Sequence, residues 1–205
     1  MDGRSERKRQ AIMEAARELF LANGYQGTSM DEIAALAEVS KQTVYKNFAD
    51  KRQLFAEIVL RAASRADEFV GEMPQVLGDA PDVEAGLRRL ARRYLAAVMQ
   101  PELLQLRRLV ISEAGRFPDL ARHYYKLAPD RVMATLAVQF GGLSEKGQLD
   151  IGDPVAAASH YAFLVLGPPL DRAMFLGAEH GLTPATIDQH ADAAVGVFLA
   201  AYRPL

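Results

Sequence analysis

The 205-residue sequence contains no cysteine. This absence excludes a disulfide framework, a thiolate metal site and the chemistry of a reactive thiol, and it fits a reducing compartment. The first ten residues, MDGRSERKRQ, lack the apolar core of a signal peptide. The longest uncharged run, residues 154–170, is short, contains His160 and ends in two prolines. We therefore expect a cytoplasmic protein without a membrane span.

Neither sign of charge dominates, since the formal net charge is −2, and half of the residues are apolar. This composition supports a sizeable core and excludes a disordered chain. Residues 1–60 balance nine Lys/Arg against nine Asp/Glu, but the cations gather in a basic arm, residues 1–9, and again in residues 41–52. Binding to nucleic acid would therefore depend on local charge placement and not on net charge.

Alternation of apolar and polar residues, the pattern of a half-buried strand, is missing, and nearly all apolar spacing is helical. We predict an all-α protein. A first helix is expected over about residues 6–23, because Asn23-Gly24 is a C-terminal signal. Ser29 and Glu32 match a capping box at the start of a short second helix.

The next two helices follow from the same signals. Ser40 can cap a third helix that runs through Phe48. Asp50 and Gln53 repeat the capping-box pattern and open a long fourth helix over residues 51–72, which Met73-Pro74 is expected to end.

The segment PQVLGDAPD, residues 74–82, is the best candidate for a domain boundary. Beyond it we expect helices near 82–99, 101–115 and 117–140, the last broken or bent at Pro129, and then a surface loop over 141–153. Asp153-Pro154 and Thr183-Pro184 match an N-cap followed by proline and begin two final helices. Pro168-Pro169 should break or kink the first of these.

The third helix has the composition of a helix that reads DNA. Its short polar and cationic side chains suit base edges and phosphates: Ser40, Lys41, Gln42, Thr43, Tyr45, Lys46 and Asn47. Lys51 begins the fourth helix, where free backbone N–H groups favour a phosphate. On composition alone a solvated helix without a partner is equally acceptable. Tyr45, the basic arm and the absence of acidic residues from 39 to 49 favour DNA.

Residues 10–55, above all TSMDEIAALAEVSKQTVYKNFADKRQLF, resemble the DNA-binding domain of the TetR family of bacterial transcriptional regulators. The resemblance implies a helix-turn-helix domain over residues 1–52, joined by helix 51–72 to a ligand-binding and dimerisation domain over 75–205. It also implies a homodimer whose repression a small, largely apolar effector relieves. By position, Thr28 would bond a phosphate, residues 40–43 and 45–47 would face DNA, and Lys51 would grip the backbone.

Two positions depart from the family pattern. Family members often have glycine where this chain has Glu38 and Gln42. A left-handed backbone at Glu38 would cost roughly 1 kcal/mol, whereas Gln42 adds an amide that can read a base. Residues 103–132 are also similar to the C-terminal domain of the AefR-like subset of the family.

The C-terminal helices supply two further sets of candidates. Small and apolar residues of the last two helices could form a four-helix dimer interface: Ala157, Tyr161, Leu164, Ala191, Ala194, Val195 and Phe198. An apolar effector pocket with polar anchors could draw on Tyr94, Met99, Arg107, Phe117, His123, Tyr124, Phe140, His160 and Phe163. Each of these is individually more typical of a core than of a ligand contact.

Other functions remain as alternatives. An activator or a regulator without effector would have the same fold. A helical enzyme is a remote alternative, because HExxH and GxSxG are absent and GLSEKGQ, residues 142–148, has glutamine where a phosphate loop needs lysine. We expect no metal and no cofactor, since the four histidines lack ligand spacing. An interaction scaffold would leave residues 40–51 unexplained.

Overall fold

The computed structural model describes residues 3–177, 180 and 182–204, and every regular element within these ranges is a helix. The prediction of an all-α protein is confirmed. The α-helices in the described residues are α1 Gly3–Asn23, α2 Met30–Leu36, α3 Lys41–Asn47, α4 Lys51–Ala63, α5 Ala66–Gly78, α6 Val83–Val98, α7 Pro101–Ser112, α8 Pro118–Tyr125, α9 Arg131–Glu145, α10 Pro154–Leu176 and α11 Pro184–Tyr202. Among these helices, none has both the length and the apolar character needed to cross a membrane.

The chain divides into two compact units. The first unit consists of residues 1–63 and 105–124, and the second of residues 64–104 and 125–205. These bounds differ from the predicted domains, because segment 105–124 groups with the N-terminal helices and the change of unit after residue 63 precedes the Pro/Gly-rich stretch at 74–82.

The first unit has an apolar core to which its short helices are anchored. Ile12 and Phe20 of α1, Ile33 of α2, Val44 of α3 and Leu54 of α4 are all buried with at most 1% of their surface exposed. Burying each of these side chains stabilises the unit by about 1.5–3 kcal/mol. Helices as short as α2 and α3 are unstable alone in water, so this packing is what holds them.

The turn between α1 and α2 needs two glycines. Gly24 has φ 72°, a left-handed conformation that ends α1 as predicted. A Cβ on Gly27 would lie 2.4 Å from the Asn23 carbonyl oxygen, so only glycine fits there. The predicted capping box is confirmed: the Glu32 N–H donates to the Ser29 hydroxyl at 3.2 Å, and the Ser29 N–H donates to the Glu32 carboxylate at 2.8 Å.

The prediction of one helix over residues 51–72 is wrong. α4 ends at Ala63 and α5 begins at Ala66, because the Asp67 N–H bonds the Ser64 carbonyl at 3.0 Å in a tight i→i+3 turn. Pro74 also does not end the helix, since α5 continues to Gly78. The buried stripe of α5, Phe69, Met73 and Val76, offsets the backbone hydrogen bond that the proline cannot make.

The core of the second unit is built on aromatic side chains. The ring of Phe140 lies 5.3 Å, centre to centre, from both Tyr161 and Phe198, and all three side chains are at most 1% exposed. The buried Tyr161 hydroxyl donates to the Leu87 carbonyl at 2.7 Å, so it has a partner for its polar group. Outside this core, Arg92 of α6 pairs with Asp188 and Asp192 of α11.

The proline pair at 168–169 does not break its helix, so of the predicted break or kink the break is excluded. α10 is continuous from Pro154 to Leu176. Pro169 has no N–H for the Val165 carbonyl four residues earlier, and the His190 Nε2 of α11 lies 2.9 Å from that carbonyl oxygen. His190 therefore supplies the donor that Pro169 lacks.

The region predicted as a helix over 117–140, broken or bent at Pro129, has three parts. α8 ends at Tyr125, a π-helical turn spans Lys126–Asp130 around Pro129, and α9 begins at Arg131. Because Pro129 has no N–H, the regular ladder cannot continue through it. α9 then extends to Glu145, so the loop predicted over 141–153 is shorter than expected and begins after Glu145.

Candidate nucleic-acid interface

The third helix presents a single polar face. Lys41, Gln42, Tyr45 and Lys46 are exposed. At 3.6 residues per turn these four positions span an arc of roughly 140°. Val44 and the adjoining Phe48, both 0% exposed, hold the opposite side of α3 in the core. The buried side fixes α3 in the core, and the polar face is exposed to solvent.

Three of the predicted DNA-facing residues make local hydrogen bonds. The Ser40 hydroxyl accepts the Thr43 N–H at 3.2 Å and lies 2.8 Å from the Thr43 hydroxyl. The Asn47 amide donates to the Thr43 carbonyl at 2.8 Å. Ser40 thus caps α3, as predicted, and Thr43 and Asn47 are half-buried. The hydrogen bonds of these three residues stabilise α3 itself.

Lys41 has an acidic partner that the sequence analysis missed. Its ammonium nitrogen lies 2.8 and 2.9 Å from the two carboxylate oxygens of Asp31 in α2. The hydrogen bond to Asp31 raises the pKa of Lys41 above its usual value. The two residues are ten positions apart on different helices, so no helical spacing rule could have found the pair.

Thr28 requires a correction, because its hydroxyl is not available to a phosphate. The residue is 2% exposed, and its hydroxyl lies within hydrogen-bond distance of the carbonyls of Leu19, at 3.1 Å, and Gly24, at 2.9 Å. A hydroxyl has one proton, which these two carbonyls share. Thr28 therefore joins the end of α1 to the start of α2.

Lys51 also makes contacts that the sequence did not indicate. Its ammonium donates to the carbonyls of Tyr25, at 2.8 Å, and Thr28, at 2.6 Å, and lies 4.5 Å from the centre of the Tyr25 ring. An ammonium has three protons, so one remains for a phosphate. Lys51 holds the α1–α2 turn against α4 in addition to its proposed DNA contact.

Segment 105–124 contributes an aromatic ring to the packing between the α1–α2 turn and α4. Phe117, a predicted pocket residue, lies 4.8 Å from the Tyr25 ring and 5.8 Å from the Phe55 ring, centre to centre. It is 8% exposed, so it packs in a cluster that begins with Phe20 of α1. The sequence gives no signal for this contact, because Phe117 lies about 60 positions beyond Phe55.

Glu38 adopts the strained backbone that the sequence analysis considered. Its φ is 52°, and it is the one non-glycine residue with positive φ in the described residues. The Val39 N–H bonds the Ala34 carbonyl at 3.1 Å and the Glu38 N–H bonds the Ala35 carbonyl at 3.2 Å, the pattern of a Schellman motif. That motif favours glycine, so glutamate bears a local cost of roughly 1 kcal/mol here.

Residues 3–9 of the basic arm are helical, since they belong to α1. Within it, Arg9 bonds Glu57 of α4 at 2.6 Å and its guanidinium carbon lies 4.6 Å from the centre of the Phe48 ring. Arg9 thus connects α1 to α4 and to the end of α3, a link that composition alone could not reveal.

The nine candidates for an effector pocket fall into both units. Arg107, Phe117, His123 and Tyr124 belong to the first unit, whereas Tyr94, Met99, Phe140, His160 and Phe163 belong to the second. Phe140 fills the second unit's core, and Tyr94 stacks on Phe69 with ring centres 5.0 Å apart. His160 is exposed and bonds the Tyr202 hydroxyl at 2.6 Å. Arg107 Nε lies 3.5 Å from the Tyr124 hydroxyl, while Met99 is half-buried and His123 exposed.

The predicted dimer interface also requires a correction. The seven residues share burial within the second unit itself: Ala157, Tyr161, Ala191, Ala194, Val195 and Phe198 are at most 6% exposed, and Leu164 is half-buried against the same core. The six buried side chains fill the core of one chain and are not available to a second copy, whereas Leu164 keeps part of its surface exposed. Large apolar side chains that do face outward on α10 and α11 are Val155, Phe163, Phe175, Leu176 and Val197, each more than half exposed.

A short helix with an exposed polar and cationic face, held by a second short helix across a tight turn, is the architecture of helix-turn-helix DNA-binding regulators. Residues 12–58 match the model of the bacterial regulatory proteins of the TetR family, and residues 85–204 match the C-terminal domain of AefR-like transcriptional repressors. The chain belongs to the TetR family and is a DNA-binding transcriptional regulator. Both resemblances found in the sequence are confirmed.

Relatives along the whole chain agree with this assignment. A crystal structure from Mesorhizobium loti assigned to the TetR family is 44% identical, with a TM-score of 0.88 over 99% of this chain and 100% of that one. The DNA-binding transcriptional repressor TetR of Mycobacteroides abscessus is 30% identical over 86% of this chain and 92% of its own length. The flavonoid-responsive regulator FrrA is 33% identical, with a TM-score of 0.70 over 97% of this chain and 98% of its own.

Proposed function

We propose that the protein is a homodimeric repressor that inserts α3 into the major groove of a palindromic operator. The observation that carries the proposal is the exposed face of Lys41, Gln42, Tyr45 and Lys46 on a helix whose other side is buried. Gln42 has an amide suited to adenine, and the lysines suit phosphates or guanine. Two copies of α3 would read half-sites about 34–36 Å apart. Lys51 adds a phosphate contact from the start of α4.

We assign the dimer contact to the outward apolar side chains of α10 and α11. Phe163 is 72% exposed and Val197 is 58% exposed. Residues of this size are seldom exposed in numbers on a monomer, and a group of them marks a surface that another molecule covers. Ala193, Gly196 and Ala200 are exposed on α11 and small enough for close helix approach.

The effector is proposed to be small and largely apolar, and a planar aromatic compound is the first class to test. The support is the chain's similarity to FrrA, a protein named for its response to flavonoids. Segment 105–124 would carry the signal, since it is continuous with the second unit at both ends and packs Phe117 against Tyr25 and Phe55. An effector that shifts this segment would change the support of α2 and α4, with a coupling of about 1–3 kcal/mol.

Two exposed tyrosines provide the test of the recognition face. Tyr45, 47% exposed on α3, should contact DNA, whereas Tyr125, 60% exposed in the second unit, should not. We expect Tyr45→Ala to lower operator affinity about 5- to 150-fold, the range of one good contact of about 1–3 kcal/mol. Tyr125→Ala should leave it unchanged. Fluorescence anisotropy with labelled duplex measures the operator affinity of both variants. Equal effects of the two substitutions would contradict the assignment of α3 to the DNA interface.

A further inference from the structure

The pair between Lys41 and Asp31 adds little to stability. Both side chains are largely exposed, 59% for Lys41 and 64% for Asp31. Exposed ion pairs of this kind contribute little, because water competes for both charges and both side chains lose rotamer freedom. The packing of Val44 and Phe48 and the Schellman turn at Glu38 already hold α3 against α2. The main effect of the pair is therefore on the binding of other anions by the Lys41 ammonium.

A carboxylate and a DNA phosphate bind an ammonium group in the same way. Both offer anionic oxygens at about 2.7–2.9 Å from the nitrogen. Asp31 approaches Lys41 with both oxygens, at 2.8 and 2.9 Å, so it occupies the cation in the way that a phosphate would. Lys41 belongs to the exposed face of α3, whereas Asp31 lies on α2. One ammonium proton remains beside the two that face Asp31, but a phosphate that accepts it would lie next to the Asp31 carboxylate, so charge repulsion favours displacement of Asp31.

We propose that Asp31 is an internal competitor of DNA for Lys41, and that it lowers the affinity of the protein for every DNA duplex. The proposal rests on the DNA-binding face assigned above. Binding exchanges one anionic partner of Lys41 for another, so part of the attraction of the lysine for phosphate is lost. The effect should be about two- to fivefold, the size of an exposed ion pair. Since phosphate contacts carry no sequence information, operator and unrelated DNA should be affected alike.

Two other accounts of the pair make different predictions. If Asp31 orients Lys41 for a productive contact, removing its charge would weaken binding and not strengthen it. If Asp31 merely repels DNA through space, its removal would strengthen binding whether or not Lys41 is present. A double-mutant cycle separates the three accounts, because only competition requires both residues.

The test measures the affinities of wild type, Asp31→Asn, Lys41→Gln and the double variant for operator and for a scrambled duplex at 0.15 M salt, roughly physiological ionic strength. We expect Asp31→Asn to raise both affinities about two- to fivefold and to do less than half of this in the Lys41→Gln background. Glu38→Gln removes another exposed carboxylate next to α3 and serves as the matched control. Its gain should be smaller than that of Asp31→Asn. Thermal unfolding confirms that each variant is folded.

Several outcomes would overturn the proposal. Weaker binding by Asp31→Asn, an equal gain in both backgrounds, an equal gain for Glu38→Gln, or a gain for operator alone would each contradict competition. Failure of the underlying DNA-binding face has a different signature, since Lys41→Gln would then leave operator affinity unchanged. If Lys41→Gln weakens binding and Asp31→Asn does not strengthen it, the face stands and the competition does not.

Discussion

Replacing Lys51 with alanine is expected to lower both the stability of the first unit and its affinity for the operator. The Tyr25 and Thr28 carbonyls would lose their common donor, and the Tyr25 ring would lose the ammonium 4.5 Å from its centre. Because these groups are partly buried, we expect a loss of about 1–2 kcal/mol in the free energy of unfolding. In a chain of this size that lowers Tm by about 2–4 °C per kcal/mol.

The loss of affinity at Lys51→Ala has two sources. The remaining proton of the ammonium no longer meets a phosphate, and the turn that supports α2 becomes looser. We expect about a tenfold weaker complex, which corresponds to about 1.4 kcal/mol. Thermal unfolding of the free protein and anisotropy with labelled operator measure the two effects separately.

Lys46→Ala is the control for Lys51→Ala. Lys46 is exposed in the last turn of α3, so its removal should weaken DNA binding and reduce the salt slope by about 0.9 per lost phosphate contact, with Tm unchanged. If Lys51→Ala behaves in the same way, without any loss of Tm, Lys51 is a phosphate ligand only. That result would refute the claim that Lys51 holds the α1–α2 turn against α4.

The second large effect concerns the outward face of α10. Phe163→Asp, alone or with Val197→Asp, is expected to give a folded monomer, because a carboxylate would be buried in the interface without a partner. Affinity for a palindromic operator should then fall by about 10²-fold or more, since the second half-site is no longer tethered to the first. Light scattering gives the mass, and the circular dichroism of the helices confirms folding.

Val138 provides the matched control for this substitution. It is 70% exposed, similar to Phe163, but it lies on α9. Val138→Asp should keep the mass of the dimer. A dimer that survives Phe163→Asp together with Val197→Asp would show that the interface lies elsewhere. Aspartate at Ala194 or Val195 would be uninformative, because both side chains fill the core of the second unit.

Rules that involve residues close in sequence predicted the features of the DNA-binding unit that depend only on such residues. Ser29 and Glu32 are three residues apart, and the capping box that they form depends only on that spacing. The strain at Glu38 follows from one turn, and the start of α3 from its cap, Ser40. For the same reason, the stretch from α1 to α3 could be predicted closely from its residues.

Contacts between distant residues could not be predicted in this way. The family resemblance implied that Thr28 bonds a phosphate, yet its hydroxyl bonds the carbonyls of Leu19 and Gly24. Asp31 and Lys41 lie on different helices, and their pairing depends on how those helices cross. In the second unit, apolar spacing identified the stripes of α10 and α11 but did not distinguish the stripe that fills the core from the one that faces outward.

The proline pair of α10 also shows that local rules cannot predict contacts between distant residues. Pro168-Pro169 violates the rule for helix interiors, and that rule predicted a break or a kink. The rule treats a helix by itself, whereas His190 of another helix offers a donor to the carbonyl that Pro169 leaves free. The helix then continues, because tertiary contacts replace what the local ladder lost.

The most direct test of the account is the salt dependence of binding to the DNA upstream of the protein's own gene. If Lys41, Lys46 and Lys51 of both copies each neutralise one phosphate, log K should fall against log salt concentration with a slope of about −5, at −0.9 per contact. Affinity for that DNA should exceed affinity for a scrambled duplex by about 10³-fold or more. A slope near zero, or equal affinity for the two duplexes, would contradict the claim that this chain reads DNA through α3.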